Sequence, residues 1–275
     1  MRVRAPVARR TPGRRPFWMS VLGVALVCGC SAGAPTAADS GRDLVSSSAG
    51  AATARQSAHA PRQILYFGNS HTSVNDVPGT VARLLQAGAG VSVESTVSPH
   101  SLLLNERGSH QPSLDLLGSR RWDVVVLQAQ DYSSSGAYTY PTTGAEELVR
   151  RARAGGARVI LFAEWPRAGI DESVRIVGTY AAIAARQPAC LPPVPEAFDE
   201  ALKANPTVAL HNADGNHSSP AGAFLAALVL ASAIAPLTPD RLPDLDQPGV
   251  AIDVQRALER AAARTLDRVP VTRGC

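Results

Sequence analysis

From Pro61 onward, short runs of consecutive apolar residues alternate with longer stretches in which apolar positions recur every three or four residues. Residues 64–67 (Ile-Leu-Tyr-Phe), 122–127 and 158–163 are the short runs, and together with 91–97, where valines are interspersed with polar residues, they predict four strands. Helices are predicted over 78–86, with Val81, Leu84 and Leu85 on one face, and over 144–154, closed by Gly155-Gly156. Further helices are predicted over 173–186, 195–203, 220–235 and 252–266. Strands that are apolar on both faces and alternate with helices imply a three-layer α/β/α sandwich around a mainly parallel central sheet. Residues 221–235 lie between Pro220 and Pro236 and carry no charge, a length that suits a buried layer helix better than a membrane span.

Before Pro61 neither period is present. Residues 1–30 hold six arginines and no acid, and 17–29 form an uncharged, largely apolar run. A basic start followed by a short apolar stretch predicts an export signal over 1–29, and Arg14-Arg15 resembles a twin-arginine variant of one. Val27-Cys28-Gly29-Cys30 resembles the lipobox of bacterial lipoproteins, which implies lipidation of Cys30 and an envelope-anchored, extracytoplasmic protein. Residues 30–60, rich in Ala, Ser, Gly and Thr, read as a flexible tether, and 61–275 as one folded domain.

This division changes the meaning of the charge. The chain has 27 basic and 23 acidic residues, for a net +4, but the six leader arginines account for the excess. What remains is near −2, so nothing electrostatic favours a nucleic-acid partner. With Cys28 in the leader and Cys30 lipidated, Cys190 and Cys275 are left, and in an oxidising compartment a bridge between them is a candidate, the alternative being two thiols.

In an open parallel sheet, ligands bind beyond the carboxyl ends of the strands. There the chain places Gly68-Asn69-Ser70-His71-Thr72 after the first strand, Gln128-Ala129-Gln130-Asp131 after the third, and Asp214-Gly215-Asn216-His217 ahead of the uncharged helix. A serine hydroxyl is a weak nucleophile until a base takes its proton, and a histidine oriented by a carboxylate is the usual base near neutral pH. The Asp214-x-x-His217 spacing lets the carboxylate fold back onto the imidazole, leaving the other ring nitrogen for Ser70. Thr72 stands where a Gly-x-Ser-x-Gly elbow would need its second glycine, which argues against an α/β-hydrolase arrangement.

These blocks, in this order, resemble the SGNH/GDSL hydrolase superfamily of serine esterases, with Asn69 in place of the usual aspartate. Leu127-Gln128-Ala129-Gln130, Phe162-Ala163-Glu164-Trp165 and Val194-Pro195-Glu196-Ala197-Phe198 resemble a subgroup in which glutamines replace the Gly-x-Asn-Asp block. The resemblance implies a flavodoxin-like fold and an acyl-enzyme on Ser70, with His217 as base and Asp214 as its orienter. It also implies an oxyanion hole built from the Ser70 N–H, a side-chain amide (Gln130, with Gln128 as rival) and a loop N–H after the second strand. The family's glycine in that loop is replaced by Ser98-Pro99-His100-Ser101, so His100 or Ser101 must supply the last donor. The expected substrate is a small-molecule or carbohydrate ester, including acetyl esters. Acyl transfer to a sugar hydroxyl, or a glycan-binding lipoprotein that has lost catalysis, are the alternatives.

Among neighbouring residues, Asn75 or Asp76 is expected to cap the helix that begins near Pro78, and His71 to flank the nucleophile. Trp165 is either a sugar-stacking platform or a cover for the sheet edge. His100, His110 and His211 show no metal-ligand spacing, and no Gly-rich phosphate-binding motif is present, so neither metal nor nucleotide cofactor is expected.

Overall fold

A computed structural model describes residues 60–271 and 275; the predicted export signal, Cys30 with its expected lipid, and the tether up to residue 59 lie outside the described residues. Four strands form the sheet: β1 (Arg62–Phe67), β2 (Val93–Val97), β3 (Val124–Leu127) and β4 (Arg158–Leu161). Between and after them come α1 (Ser70–Ser73), α2 (Val77–Ala89), α3 (Leu104–Arg107), α4 (Gln111–Gly118), α5 (Thr143–Ala154), α6 (Ser173–Arg186), α7 (Val194–Ala204), α8 (Pro220–Ile234) and α9 (Ile252–Arg268).

The strands run parallel in the order β2-β1-β3-β4. Successive side chains point to opposite faces, and the burial follows that alternation. Ile64, Tyr66, Val124, Val126 and Ile160 enter one core with residues of α2, α7, α8 and α9. Leu65, Phe67, Val125, Leu127, Val159 and Leu161 enter a second core with residues of α4, α5 and α6. Two cores on one sheet make the three layers expected from the sequence.

In this strand order the chain leaves β1 toward one side to reach β2 and then returns past β1 to β3. The crevice above the carboxyl ends of β1 and β3 is therefore the switch point at which such sheets bind ligands. β1 delivers Ser70 there, and β3 delivers Gln128.

α8 explains the uncharged stretch. Every residue from Ala221 to Ile234 is buried, because α2, α7 and α9 all pack against it. Among the described residues no helix is long and apolar enough to cross a membrane. Beyond β4, Cys190 pairs with Ile160 as a one-residue parallel bridge. Cys190 is joined by a disulfide to Cys275, 85 positions away, with their Cα atoms 4.1 Å apart.

Candidate active site

The turn after β1 is built around Asn69 and Gln128. Asn69 caps α1, its Oδ1 accepting the His71 N–H at 2.9 Å, so the one-turn helix begins at Ser70. Gln128 Oε1 accepts from the Asn69 N–H at 3.0 Å and from Thr72 Oγ1 at 2.9 Å, tying the turn to the end of β3. Gly68 is required by this closeness: a Cβ there would run into the side chains of Thr72 and Gln128. Ser70 is left at the first position of a helix, where its N–H has no intrahelical acceptor.

Ser70, His217 and Asp214 come together although the serine lies 147 positions from the histidine. His217 Nε2 is 2.8 Å from Ser70 Oγ, and its Nδ1 is 2.6 Å from Asp214 Oδ2. The Asp214 carboxyl is held down at about 2, first by the His217 ring and then by the N–H groups of Asn216 and His217, which donate to Oδ1 at 2.9 and 3.0 Å. An ionised carboxylate only accepts, so Nδ1 donates to it, and in that tautomer Nε2 is left to accept from the Ser70 hydroxyl. The site is shallow, with the side chains of His217 and Asp214 28% and 49% exposed.

The 214–217 loop is gripped from the segment after β4. Trp165 Nε1 donates to the Asn216 carbonyl at 2.9 Å, and the Ala168 N–H to that of Gly215 at 2.8 Å. Glu172, its side chain fully buried, fixes the segment by accepting from the backbone N–H, Nε and Nη2 of Arg167 at 2.8 to 3.0 Å. Trp165 is buried and stacked on Phe198, ring centroids 5.2 Å apart, so it is the packing aromatic and not a sugar platform. Asp76 caps α2, as expected of that pair, while Asn75 Nδ2 reaches the Ser218 carbonyl at 2.7 Å and ties the nucleophile side to the histidine loop. His71 stacks on the His217 ring at 5.2 Å. Burial, and then the neighbouring His217, lower its pKa, which disfavours a positive charge on the ring stacked against His217.

The glutamines are placed differently from expectation. Gln130 Nε2 donates to the carbonyls of Asp131 and Pro141, both at 3.2 Å, so its amide hydrogens pin the two ends of the 131–141 loop and are not offered to an oxyanion. Gln128 uses its oxygen to hold the nucleophile turn, and its amide nitrogen lies toward the buried carboxyl of Glu164. Burial pushes that carboxyl up to about 7 despite the Tyr180 hydroxyl donating to it at 2.7 Å. Tyr180 Oη in turn accepts the Gln130 N–H at 3.1 Å. Sequence patterning put Glu164 in a block that resembles the subgroup but did not reveal its pairing with Tyr180, which lies on a helix 16 positions on with no motif around it.

Arg107 is the other residue patterning missed. It is fully buried and lies over the Phe67 ring. Its Nη2 donates to the carbonyls of Gly68, at 3.0 Å, and of His100, while Nη1 donates to the hydroxyls of Ser98 at 2.8 Å and Ser113 at 3.1 Å. Burial lowers its pKa to about 10, which still leaves it a cation near neutral pH. Ser101 lies on the exposed side of the same loop. A groove of about 600 Å³, lined by Tyr132, Tyr138, Tyr140, Arg175 and Arg186 among others, runs between the 131–143 segment and α6 and does not include the serine, histidine or aspartate.

A doubly covered parallel sheet with a hydrogen-bonded serine, histidine and aspartate at its switch point defines an α/β protein of serine-hydrolase type. No protein-family profile and no curated protein matches the sequence. Among solved structures it is similar to a provisionally assigned SGNH hydrolase from Slackia heliotrinireducens, with 29% identity and a TM-score of 0.51 over 62% of this chain and 98% of that one. It also shares its fold with a DUF4886 family protein from Bacteroides uniformis, at 17% identity and a TM-score of 0.65 over 76% of this chain and 96% of that one. Fold, block order and the first of these likenesses support the resemblance to the SGNH/GDSL hydrolase superfamily.

Proposed function

We propose that this hydrolase cleaves carboxylic esters through an acyl-enzyme on Ser70. The carrying observation is the unbroken chain of hydrogen bonds from Ser70 through His217 to Asp214. Ser70 Oγ bonds to the ester carbonyl carbon as its proton passes to His217 Nε2, and the carbonyl oxygen takes up the negative charge. Collapse breaks the carbon–alkoxy bond, and the departing oxygen takes the proton from Nε2. Water, deprotonated by the same nitrogen, then releases the acid and restores Ser70. Asp214 stays ionised throughout and steadies the imidazolium. The Ser70 N–H and one N–H of the 98–102 loop are the oxyanion donors, Gln130 being engaged elsewhere.

A small acyl group, such as an acetyl ester of a carbohydrate, fits a shallow site open to solvent. The same openness favours water over a sugar hydroxyl as acceptor, and the intact serine–histidine–aspartate geometry disfavours a purely binding role. Export and lipid anchoring at Cys30 belong to the proposal on the strength of the leader pattern alone. A fluorophosphonate probe is expected to label the wild type and not Ser70→Ala, alongside serine-dependent turnover of p-nitrophenyl acetate. A folded wild type that does neither refutes the esterase reading. Incorporation of a fatty-acid analogue is expected to vanish in Cys30→Ala, and its persistence refutes the anchor.

A further inference from the structure

Arg107 presents an unusual account. A fully buried guanidinium is costly to desolvate, and those buried in proteins are ordinarily paired with a carboxylate. Among the described residues its four hydrogen bonds go to two carbonyls and two serine hydroxyls, none of them charged. Three of those partners lie in the two loops from which the oxyanion donors must come, Gly68 in the nucleophile turn and Ser98 and His100 in the loop after β2, while the fourth, Ser113, lies in α4. One nitrogen, Nη2, holds both the Gly68 and the His100 carbonyls and so sets the distance between the loops.

Peptide geometry gives this grip a direction. In a trans peptide unit the C=O and the following N–H point opposite ways, and all the described peptide bonds are trans. The Gly68–Asn69 unit illustrates it: Arg107 takes the carbonyl on one side and Gln128 Oε1 the N–H on the other. The His100–Ser101 unit is held by its carbonyl in the same manner, so the Ser101 N–H points away from the buried guanidinium toward the exposed side of the loop. No described acceptor takes that N–H. Pro99 has no N–H, and the Ser98 N–H is spent on the Tyr66 carbonyl at 2.9 Å.

We propose that Arg107 is the positioning residue of the oxyanion site: by drawing the His100 carbonyl inward it presents the Ser101 N–H as the donor that pairs with that of Ser70. A glycine at this loop position, as in the superfamily pattern, is then unnecessary, because a buried cation fixes the peptide plane. This role rests on the esterase reading above. In the acylation step the negative charge develops on the carbonyl oxygen between two backbone donors, with the proton already on His217.

Ser101→Pro removes the N–H from an exposed position, while Arg107→Lys keeps a cation but loses the planar fork that spans both loops. Both are expected to lower kcat for p-nitrophenyl acetate, Ser101→Pro by roughly 10²-fold as for loss of one oxyanion donor, with KM changed little. Phenylboronic acid, whose tetrahedral adduct on Ser70 places an oxygen where the oxyanion forms, is expected to lose affinity in step with kcat/KM in both variants. Merely structural damage would not link those two losses. Folded Ser101→Pro with wild-type kcat overturns the assignment, as does a fall in kcat with boronate affinity retained. Should Arg107→Lys fail to fold, Ser101→Pro decides alone. Wild-type protein without Ser70-dependent turnover instead sinks the esterase reading, and this role with it.

Discussion

Asp214 uses both carboxylate oxygens for one purpose. Oδ1 takes the backbone N–H groups of Asn216 and His217, which closes the loop, and Oδ2 takes the ring, which sets the tautomer. Asp214→Asn can satisfy the loop but can donate to Nδ1, turning the ring so that Nε2 carries the proton and cannot accept that of Ser70. A loss in kcat of roughly 10²- to 10⁴-fold is expected for p-nitrophenyl acetate, with folding retained. Glu164 gives a prediction about stability. Its folded pKa is raised to about 7 by burial, so the native state holds a proton that the unfolded chain releases above its ordinary carboxyl range. The contribution is fully present below that range and is lost as pH rises through about 7. Urea unfolding of the wild type is therefore expected to weaken from pH 5 to pH 8 more steeply than that of Glu164→Gln. Equal slopes would show that the buried carboxyl does not titrate there. Ser70, Asp214 and His217 were legible because their chemistry depends on short local spacings. Arg107 was not, since its partners lie on separate loops and no pattern near it distinguishes a buried arginine from a solvated one.

At the scale of elements, the start of α8 sets the height of the histidine loop. Gly222 lies in its first turn against the Leu210 carbonyl, and a Cβ would collide with that backbone atom. Leu210 also accepts the Ser219 N–H at 2.9 Å, and Ser219 caps α8, so the strain would pass into the segment that carries His217. Gly222→Ala is expected to cost about 1–3 kcal/mol by chemical denaturation, as overpacking does elsewhere, and to lower kcat as well. Stability unchanged within error would show that α8 can shift to make room. The helices legible in the sequence were the long ones, α2 and α5 to α9, whose apolar periodicity spans three turns or more or whose lack of charge marks burial. α1 and α3, of four residues each, and α4, of eight, are too short to display a period. They are held by caps and tertiary contacts instead. Two of these three elements, α1 and α3, carry Ser70 and Arg107.

For the molecule as a whole, the bridge from Cys190 to Cys275 links the outer side of β4 to the far end of the chain. Closing a loop across 85 positions restricts the unfolded ensemble, so Cys275→Ser is expected to lose about 2–4 kcal/mol in urea unfolding under oxidising conditions. A wild type insensitive to reductant in the same assay would show that the bridge adds nothing. The parallel three-layer arrangement was readable from strand and helix alternation, but the strand order was not, because each apolar strand could pair with any other. The partnership of the two cysteines likewise needed the sheet edge to bring them together.

α8 also orders events in time. A helix apolar on every side has no face it can show to water, and one of its walls is α9, the last helix among the described residues. A nascent polypeptide that has reached Ile234 has therefore made its greasiest segment without the piece that shelters it. Until residues 252–268 emerge, α8 is a target for holding chaperones and for self-association, and a chain stopped anywhere between is expected to aggregate instead of resting as a smaller domain.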